Sequence, residues 1–231
     1  MKELTLKREI CDTLAIIAVV SGASLLGQAW PIRILLACCF AISIIEITVT
    51  SYRKDRECYP TKADILFTAP MTIALLVAIA LIICVRLDGK EYLLILGLAM
   101  ASDAGGLIFG RFFGYRHPSF SKRISPNKTW AGYLGSFICT LCVGVLGLLI
   151  LCLPWNFKHI VIILLSSSIS SAGDLLGSGT KRELGIKHSS DYTNDLPVLK
   201  QLEVLMRSRH GYLDCMDSVS FMVIAAMILF A

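Results

Sequence analysis

Apolar residues are gathered into seven long runs along this chain, with polar segments between them. Each run approaches the ~20 residues that an α-helix needs to cross the hydrocarbon core of a membrane. The runs lie near residues 11–30, 32–50, 65–85, 92–110, 132–153, 158–176 and 216–231. No polar segment is long enough to form a separate soluble domain. The pattern therefore predicts an all-α, polytopic membrane protein with about seven transmembrane helices.

Composition supports a membrane protein and excludes an ordinary soluble domain. Hydrophobic residues make up 55% of the 231 residues, charged residues make up 17%, and the mean hydropathy is +0.70. Soluble domains have fewer apolar and more charged residues. The first run follows Lys2, Lys7 and Arg8, a pattern that is also typical of a secretory signal. We reject that interpretation because the run is long, lacks a convincing small-residue cleavage site and is followed by six more.

The distribution of positive charge predicts the orientation of the chain. If the N-terminus is cytoplasmic, the segments on that side carry 18 of the 22 lysine and arginine residues. The opposite side keeps Arg33, Arg86, Lys90 and Lys158. Membrane proteins concentrate these residues on the cytoplasmic side. We therefore expect every long polar loop to face the cytoplasm. The protein itself is expected in a cell inner membrane or a plasma membrane.

The chain is treated as one membrane domain, residues 1–231. Residues 1–91 have the pattern of a helical scaffold. Residues 92–231 hold the candidate chemistry, with cytoplasmic loops at 111–131 and 173–215.

The nine cysteines predict neither a disulfide framework nor a metal site. Most of them fall inside apolar runs. Cys139 and Cys142 have CxxC spacing, but in the middle of a membrane helix small residues usually serve packing. No HExxH motif and no paired Cys/His spacing indicates zinc.

The longest polar interval of the chain runs from Gly173 to Asp217. Asp174 follows one apolar run, and Asp214 and Asp217 lead into the next. Carboxylates at a membrane edge are costly unless a cation or hydrogen bonds hold them, so they indicate a functional site. The interval also contains Ser178, Lys181, Arg182, Lys187 and a short amphipathic pattern at 197–206. Acids beside fixed cations suit a polyanionic ligand that carries Mg²⁺, such as a nucleoside triphosphate.

Asp103 lies inside the fourth apolar run and is followed by Gly105, Gly106 and Gly110. One interpretation is a helix-packing seam with a single hydrogen-bonded aspartate. We prefer a functional role for Asp103, because a buried carboxylate has no inexpensive structural use in a bilayer.

The segment Ser125–Trp130, SPNKTW, has the parts of a phosphate-binding turn near the start of a helix. It combines a proline-set turn, Lys128, and the hydroxyls of Ser125 and Thr129. The alternative is a helix N-cap with an interfacial tryptophan. No GxxxxGK[ST] motif of a soluble nucleotide cradle is present in the sequence.

Four segments, in this order, resemble the pattern of the phosphatidate cytidylyltransferase family. They are DAGGLIFGRFFG from Asp103, SPNKTWAG from Ser125, GDLLGSGTKRELGIKH from Gly173 and HGYLDCMDS from His210. The order and the linking spans match, so the resemblance covers about half of the chain, from residue 92 to the end. The chain departs from the family pattern where Ala131 and Gly177 replace glutamate, His188 replaces aspartate and Cys215 replaces arginine.

The resemblance implies an enzyme that transfers the cytidylyl group of CTP to phosphatidate and releases pyrophosphate. It implies Mg²⁺ as cofactor, held by Asp174, Asp214 and Asp217, and a second cation such as K⁺. The implied catalytic residues are Asp174, Lys181, Arg182 and Asp214. The implied substrate contacts are Asp103, Ser125, Lys128, Thr129, Ser178 and Lys187. The expected partners are CTP, phosphatidate of the inner leaflet and the lipid bilayer, without nucleic acid, and a homodimer stays open.

Other functions remain open at this point. A CTP-dependent lipid or polyprenol kinase, or a cytidylyltransferase for another lipid phosphate, needs similar acids and basic loops. A transporter would use Asp103, Asp174 and Asp214 as intramembrane ligands, but no internal repeat is evident in the sequence. An inactive family member is the remaining alternative.

Overall fold

The computed structural model describes residues 21–22, 25, 28–57, 66–85, 87–113, 119–121, 125–184 and 213–230. Within these ranges the chain forms six helices and one short hairpin. In chain order they are α1 (Trp30–Glu57), α2 (Thr68–Cys84), α3 (Gly89–Phe113), β1 (Ser119–Ser121), β2 (Ser125–Thr129), α4 (Trp130–Ile150), α5 (Phe157–Glu183) and α6 (Leu213–Phe230). Each helix coincides with an apolar run of the sequence, so the predicted all-α class is confirmed.

Several of these helices can cross a membrane. The Trp30–Ser51 part of α1, together with α3, α4 and α5, is long and apolar enough to do so. Helix α2 and the Met216–Phe230 part of α6 are also apolar but shorter. The chain is therefore a multi-pass membrane protein. Most of the first predicted span, near 11–30, and the amphipathic segment at 197–206 lie outside the described residues, so the count of seven spans stays a prediction.

Helix α6 is the central element, because it contacts α1, α2, α3 and α5. Its apolar residues follow the i, i+3, i+4, i+7 spacing of one wide helical face. They are Val219, Met222, Val223, Ala226 and Met227, each at most 6% exposed. This burial carries two polar residues of α6, Asp217 and Ser218, into the interior as well.

Small residues let α3 and α4 pack backbone against backbone. A Cβ atom added at Gly105 would lie 2.7 Å from the Gly135 carbonyl oxygen and 2.9 Å from Cys139 Cβ. The Ser136 hydroxyl of α4 donates a hydrogen bond of 2.7 Å to the carbonyl oxygen of Ser102 in α3. Close contact of this kind stabilises helix pairs in membranes, where the hydrophobic effect between helices is absent. The glycines after Asp103 therefore form a packing seam, and Cys139 is part of it.

The segment between α3 and α4 folds differently from the predicted turn. Residues Ser119–Ser121 and Ser125–Thr129 form an antiparallel hairpin, in which Ser119 pairs with Thr129 and Ser121 with Ser125. Proline fits an edge strand, because its fixed φ is compatible with extended backbone and a two-stranded ribbon leaves one side of each strand unpaired. The proline-set turn expected within Ser125–Trp130 is therefore wrong, because Ser125–Thr129 is a strand. Strand β2 runs directly into α4.

Candidate active site

Three carboxylates from three helices meet at the hydroxyl of Ser218. Ser218 Oγ lies 3.1 Å from Asp103 Oδ1 of α3, 3.1 Å from Asp174 Oδ1 of α5 and 3.4 Å from Asp217 Oδ1 of α6. The hydroxyl of Ser170 in α5 donates to the same oxygen of Asp103 at 3.3 Å. Residues more than 100 positions apart in the sequence thus share one site.

This arrangement holds more hydrogen-bond acceptors than donors. A serine hydroxyl has one proton, so Ser218 can donate to only one of the three carboxylates at a time. The backbone N–H of Ser218 adds one hydrogen bond of 2.7 Å to Asp217 Oδ1. Asp217 and Ser218 are at most 2% exposed. Placing the buried Asp217 beside two further carboxylates is unfavourable unless positive charge accompanies them, so the site suits a cation.

Two lysines bring positive charge to two different carboxylates of this site. The ammonium nitrogen of Lys128, at the end of β2, lies 2.8 Å from Asp174 Oδ2. This contact is an ion pair, and the buried ammonium group has no further hydrogen-bond partner among the described residues. The Lys181 ammonium of α5 lies 4.0 Å from Asp217 Oδ2. Lys128 therefore keeps its donor capacity beside the acids.

Glycines on α5 provide the space that Asp217 occupies. A Cβ atom at Gly173 would lie 2.5 Å from the Asp217 carbonyl oxygen. A Cβ atom at Gly177 would collide with the Asp217 carboxylate itself. Helices α5 and α6 make the most extensive contact that either helix has. The absence of a side chain at residue 177 is thus a condition for the observed position of Asp217.

Thr129 caps helix α4. Its side-chain oxygen accepts a hydrogen bond of 3.2 Å from the backbone N–H of Gly132, and its backbone is extended, as N-cap residues usually are. For Thr129, the structure therefore confirms the helix N-cap, which was the alternative interpretation of this segment. The cap also fixes the direction of the adjacent Lys128 at the junction of β2 and α4.

The remaining candidate residues are placed as follows. Arg182 is exposed at the end of α5, and Ser178 is half-buried one turn after Asp174. Ser125 is in β2 and Asp214 is in the first turn of α6, but their side chains lie outside the described residues, and so does all of Lys187. Among the side chains that are described, no group of three or more aspartate, glutamate, histidine or cysteine residues has the arrangement of a metal site. The predicted three-aspartate metal centre with Asp214 therefore stays a prediction.

Sequence reasoning missed Ser218 and Ser170. Ser218 directly follows Asp217 and ends the fourth family-like segment, and that position was the available signal for it. Ser170 is one of five serines in the run Ser166–Ser171, most of which suit bonds to their own helix. Ser166, for example, donates to the carbonyl oxygen of Ile163. Only the packing of α3 against α5 singles out Ser170.

The comparison with family models decides the family. The model of the cytidylyltransferase family matches residues 13–231. The chain belongs to the cytidylyltransferase family. The match includes all four segments that carry the resemblance in the sequence, and it includes every residue of the acid and lysine cluster.

Curated members of the family support the assignment over nearly the whole chain. A phosphatidate cytidylyltransferase of Staphylococcus haemolyticus (strain JCSC1435) is 30% identical over 217 residues, which are 93% of this chain and 75% of that protein. One of Staphylococcus saprophyticus is 29% identical over 235 residues, 96% of this chain and 82% of that protein. One of Mycobacterium leprae (strain TN) is 38% identical over 101 residues, 43% of this chain and 31% of that protein. No solved structure matches the chain.

Proposed function

We propose that this protein transfers the cytidylyl group of CTP to phosphatidate. An oxygen of the phosphatidate phosphate attacks the α-phosphorus of CTP, and a new P–O bond forms. The bond from that phosphorus to the β-phosphate oxygen breaks, and pyrophosphate leaves with the electron pair. The products are CDP-diacylglycerol and pyrophosphate. Phosphatidate is already an anionic nucleophile, so the enzyme has to align two anions and offset their charge rather than supply a nucleophile of its own.

One observation carries this proposal: Asp103, Asp174 and Asp217 converge on Ser218, with a lysine beside Asp174 and another beside Asp217. In this arrangement Lys128 is the best placed phosphate contact. Its ammonium is buried, lies beside Asp174 and has no hydrogen-bond partner among the described residues. An ammonium group has three N–H donors, so the ion pair with Asp174 leaves capacity for a ligand, and phosphate oxygens accept such hydrogen bonds strongly.

Lys181, beside Asp217, is also proposed to offset the negative charge of the substrate phosphates. It lies against Asp217 and is held on the same helix as Asp174. Arg182 and Lys187 follow it in the chain and are proposed to contact phosphates, while Ser125, Thr129 and Ser178 orient those phosphates.

Asp103 suits a different part of the substrate. A carboxylate accepts hydrogen bonds and repels phosphates, so we assign it to a hydroxyl or amino group of the nucleotide.

The donor set fits Mg²⁺, although the described carboxylates alone do not form a complete metal site. Mg²⁺ takes oxygen ligands and is usually held by one or two carboxylates together with substrate phosphates and water. Asp174 and Asp217 are proposed as these carboxylates, with Asp214 three residues before Asp217. The ion, when bound, offsets charge on the phosphates of CTP. A second cation such as K⁺ stays an expectation from the resemblance.

The proposed site faces the cytoplasm. The supporting observation is the excess of lysine and arginine in the segments that join the helices at this end of the chain's predicted topology. CTP then reaches the site from solution, and phosphatidate reaches it from the adjoining leaflet.

Product analysis tests the proposal. Purified protein in phosphatidate-containing vesicles with Mg²⁺ and α-labelled CTP should yield labelled CDP-diacylglycerol and one pyrophosphate for each lipid formed. A lipid kinase would release labelled CDP instead. The absence of a labelled lipid with phosphatidates of several chain lengths, in protein that remains folded, would refute the proposal.

A further inference from the structure

Helix α2 begins at a contact with the end of α5. The Glu183 carboxylate accepts hydrogen bonds from the backbone N–H of Phe67, at 2.8 Å to each oxygen, and from the backbone N–H of Thr68 at 2.9 Å. These N–H groups are among the first of α2, which have no partner within their own helix. The N-cap residue, Phe67, offers no side-chain hydrogen bond. Glu183 therefore caps α2 from another helix, 116 residues further along the chain.

Two more contacts complete this junction. The Thr180 hydroxyl can donate its one proton to either of two carbonyl oxygens, that of Phe67 at 3.2 Å or that of Leu176 in its own helix at 2.9 Å. A Cβ atom at Gly179 would lie 2.5 Å from the Phe67 ring, so the missing side chain lets the ring pack directly on α5. Three residues of the last turns of α5, Gly179, Thr180 and Glu183, thus hold Phe67. A negative carboxylate at a helix N-terminus also interacts favourably with the helix dipole.

The junction fixes the rotation of α5 about its axis. Consecutive residues of an α-helix are separated by about 100°, so Glu183 and Lys181 point to nearly opposite sides. When Glu183 is held on α2, Lys181 is turned toward α6, where its ammonium lies 4.0 Å from Asp217 Oδ2. Lys181 is only two residues before the end of the helix, where helices fray most readily. A contact at Glu183 is therefore well placed to keep the Lys181 turn helical.

We propose that Glu183 is a positioning residue that holds Lys181 in the active site by anchoring the last turn of α5 to the start of α2. Glu183 does not touch the substrate in this assignment. The role of Lys181 in turnover rests on the proposed function, whereas the anchoring of its side chain does not.

The test compares two variants that each remove a cap of α2. Glu183→Gln keeps the size of the side chain and removes its charge at the first turn. Arg33→Gln is the matched control at the other end, where the Arg33 guanidinium donates to the carbonyl oxygen of Ile82 at 2.9 Å and to that of Ile83 at 3.0 Å. Glu183→Asp, which keeps the charge, is the conservative rescue. For each variant, kcat and KM for CTP and the thermal midpoint are measured in the full-length protein.

We expect Glu183→Gln to lower kcat/KM for CTP about 10-fold or more, because a displacement of ~1 Å in a positioning group is enough for such a loss. Arg33→Gln should keep kcat/KM within about twofold at a similar loss of thermal midpoint. Glu183→Asp should recover part of the activity. In a Lys181→Met background, Glu183→Gln should have little further effect, since the two residues act through the same contact. Equal losses in Glu183→Gln and Arg33→Gln, or fully additive losses with Lys181→Met, would overturn the proposal.

A second readout does not depend on turnover. The Lys181 side chain is 13% exposed, so an amine-reactive reagent followed by mass spectrometry should label it slowly in the parent protein. Labelling of Lys181 should be faster in Glu183→Gln than in Arg33→Gln. If the parent protein forms no CDP-lipid, this labelling still decides the anchoring, and only the proposed function fails. Equal labelling in the two variants would refute the anchoring even in an active enzyme.

Discussion

Gly177 of α5 lies so close to Asp217 of α6 that any side chain at residue 177 would meet the carboxylate. The family pattern that the sequence resembles has glutamate at this position. In this chain the carboxylate of Asp217 occupies the space beside the glycine, close to Lys181 and Ser218. The departure at residue 177 is therefore accommodated by the packing of α5 on α6.

We predict that Gly177→Ala lowers turnover by at least about 10-fold, because the added methyl group displaces Asp217 from the cluster. Overpacking of this kind costs about 1–3 kcal/mol and outweighs the gain in helix propensity, about 1 kcal/mol. The measurements are CDP-lipid formation and the thermal midpoint.

Gly97→Ala in α3 is the matched control, since its Cβ would make an ordinary contact of 3.7 Å with Val143. It should keep its activity and lose no stability. Normal activity in Gly177→Ala would show that Asp217 need not lie where the structure places it.

Removing the Lys128 ammonium should raise KM for CTP and lower kcat. Lys128→Met keeps the length of the side chain but leaves Asp174 without its nearest cation at 2.8 Å. We expect kcat/KM for CTP to fall about 100-fold, the size of effect seen when one hydrogen-bond donor is removed from a preorganised site. Lys158→Met removes an exposed lysine at the opposite end of α5 and should change neither constant. A similar small effect in both variants would remove Lys128 from the phosphate site.

The Ser218 hydroxyl should contribute to both stability and activity. Ser218→Ala leaves three carboxylates without this donor, and loss of a buried hydrogen bond to charged groups costs about 1.5–3 kcal/mol. Ser220→Ala is the control, because its buried hydroxyl only donates to the carbonyl oxygen of Asp217 at 2.9 Å. Steady-state kinetics and thermal unfolding should show a loss of turnover for Ser218→Ala beyond that of Ser220→Ala. The same turnover in the two alanine variants would argue against Ser218 as the organising group.

Removal of divalent metal should stop turnover without unfolding the protein. The helices are held together by apolar contacts and by the seam between α3 and α4, so the fold does not depend on an ion. A chelator should abolish CDP-lipid formation, Mg²⁺ should restore it, and the thermal midpoint in the absence of CTP should change little. Full activity in the chelator would contradict the assignment of Asp174 and Asp217 to Mg²⁺.

The helices could be predicted well from local sequence, because a long apolar run directly indicates a helix that lies in the membrane. The family was also readable, since the four motif-like segments occur in the right order, and the family comparison confirms it. Asp103 and Asp174 stood out as acids in or beside apolar runs, and they do meet at Ser218.

The contacts between segments that are distant in the chain could not be predicted from the sequence. In the sequence Glu183 is an ordinary acid near the end of a helix, and only the packing of α2 against α5 brings Glu183 and Thr180 to Phe67. The hairpin at 119–129 was missed because serine, proline and asparagine favour turns in isolation, whereas strand pairing is a tertiary choice.

The most direct test of the central claim is the rate of CDP-lipid and pyrophosphate formation by Asp174→Asn, compared with the parent protein under the same conditions. Asparagine keeps the shape of the side chain and can still bond to Ser218, but it removes the charge that faces Lys128 and the proposed metal. The account predicts a folded protein whose turnover falls by about 1,000-fold or more, the loss expected when a principal electrostatic group is removed. Turnover of Asp174→Asn at the parent rate would contradict it.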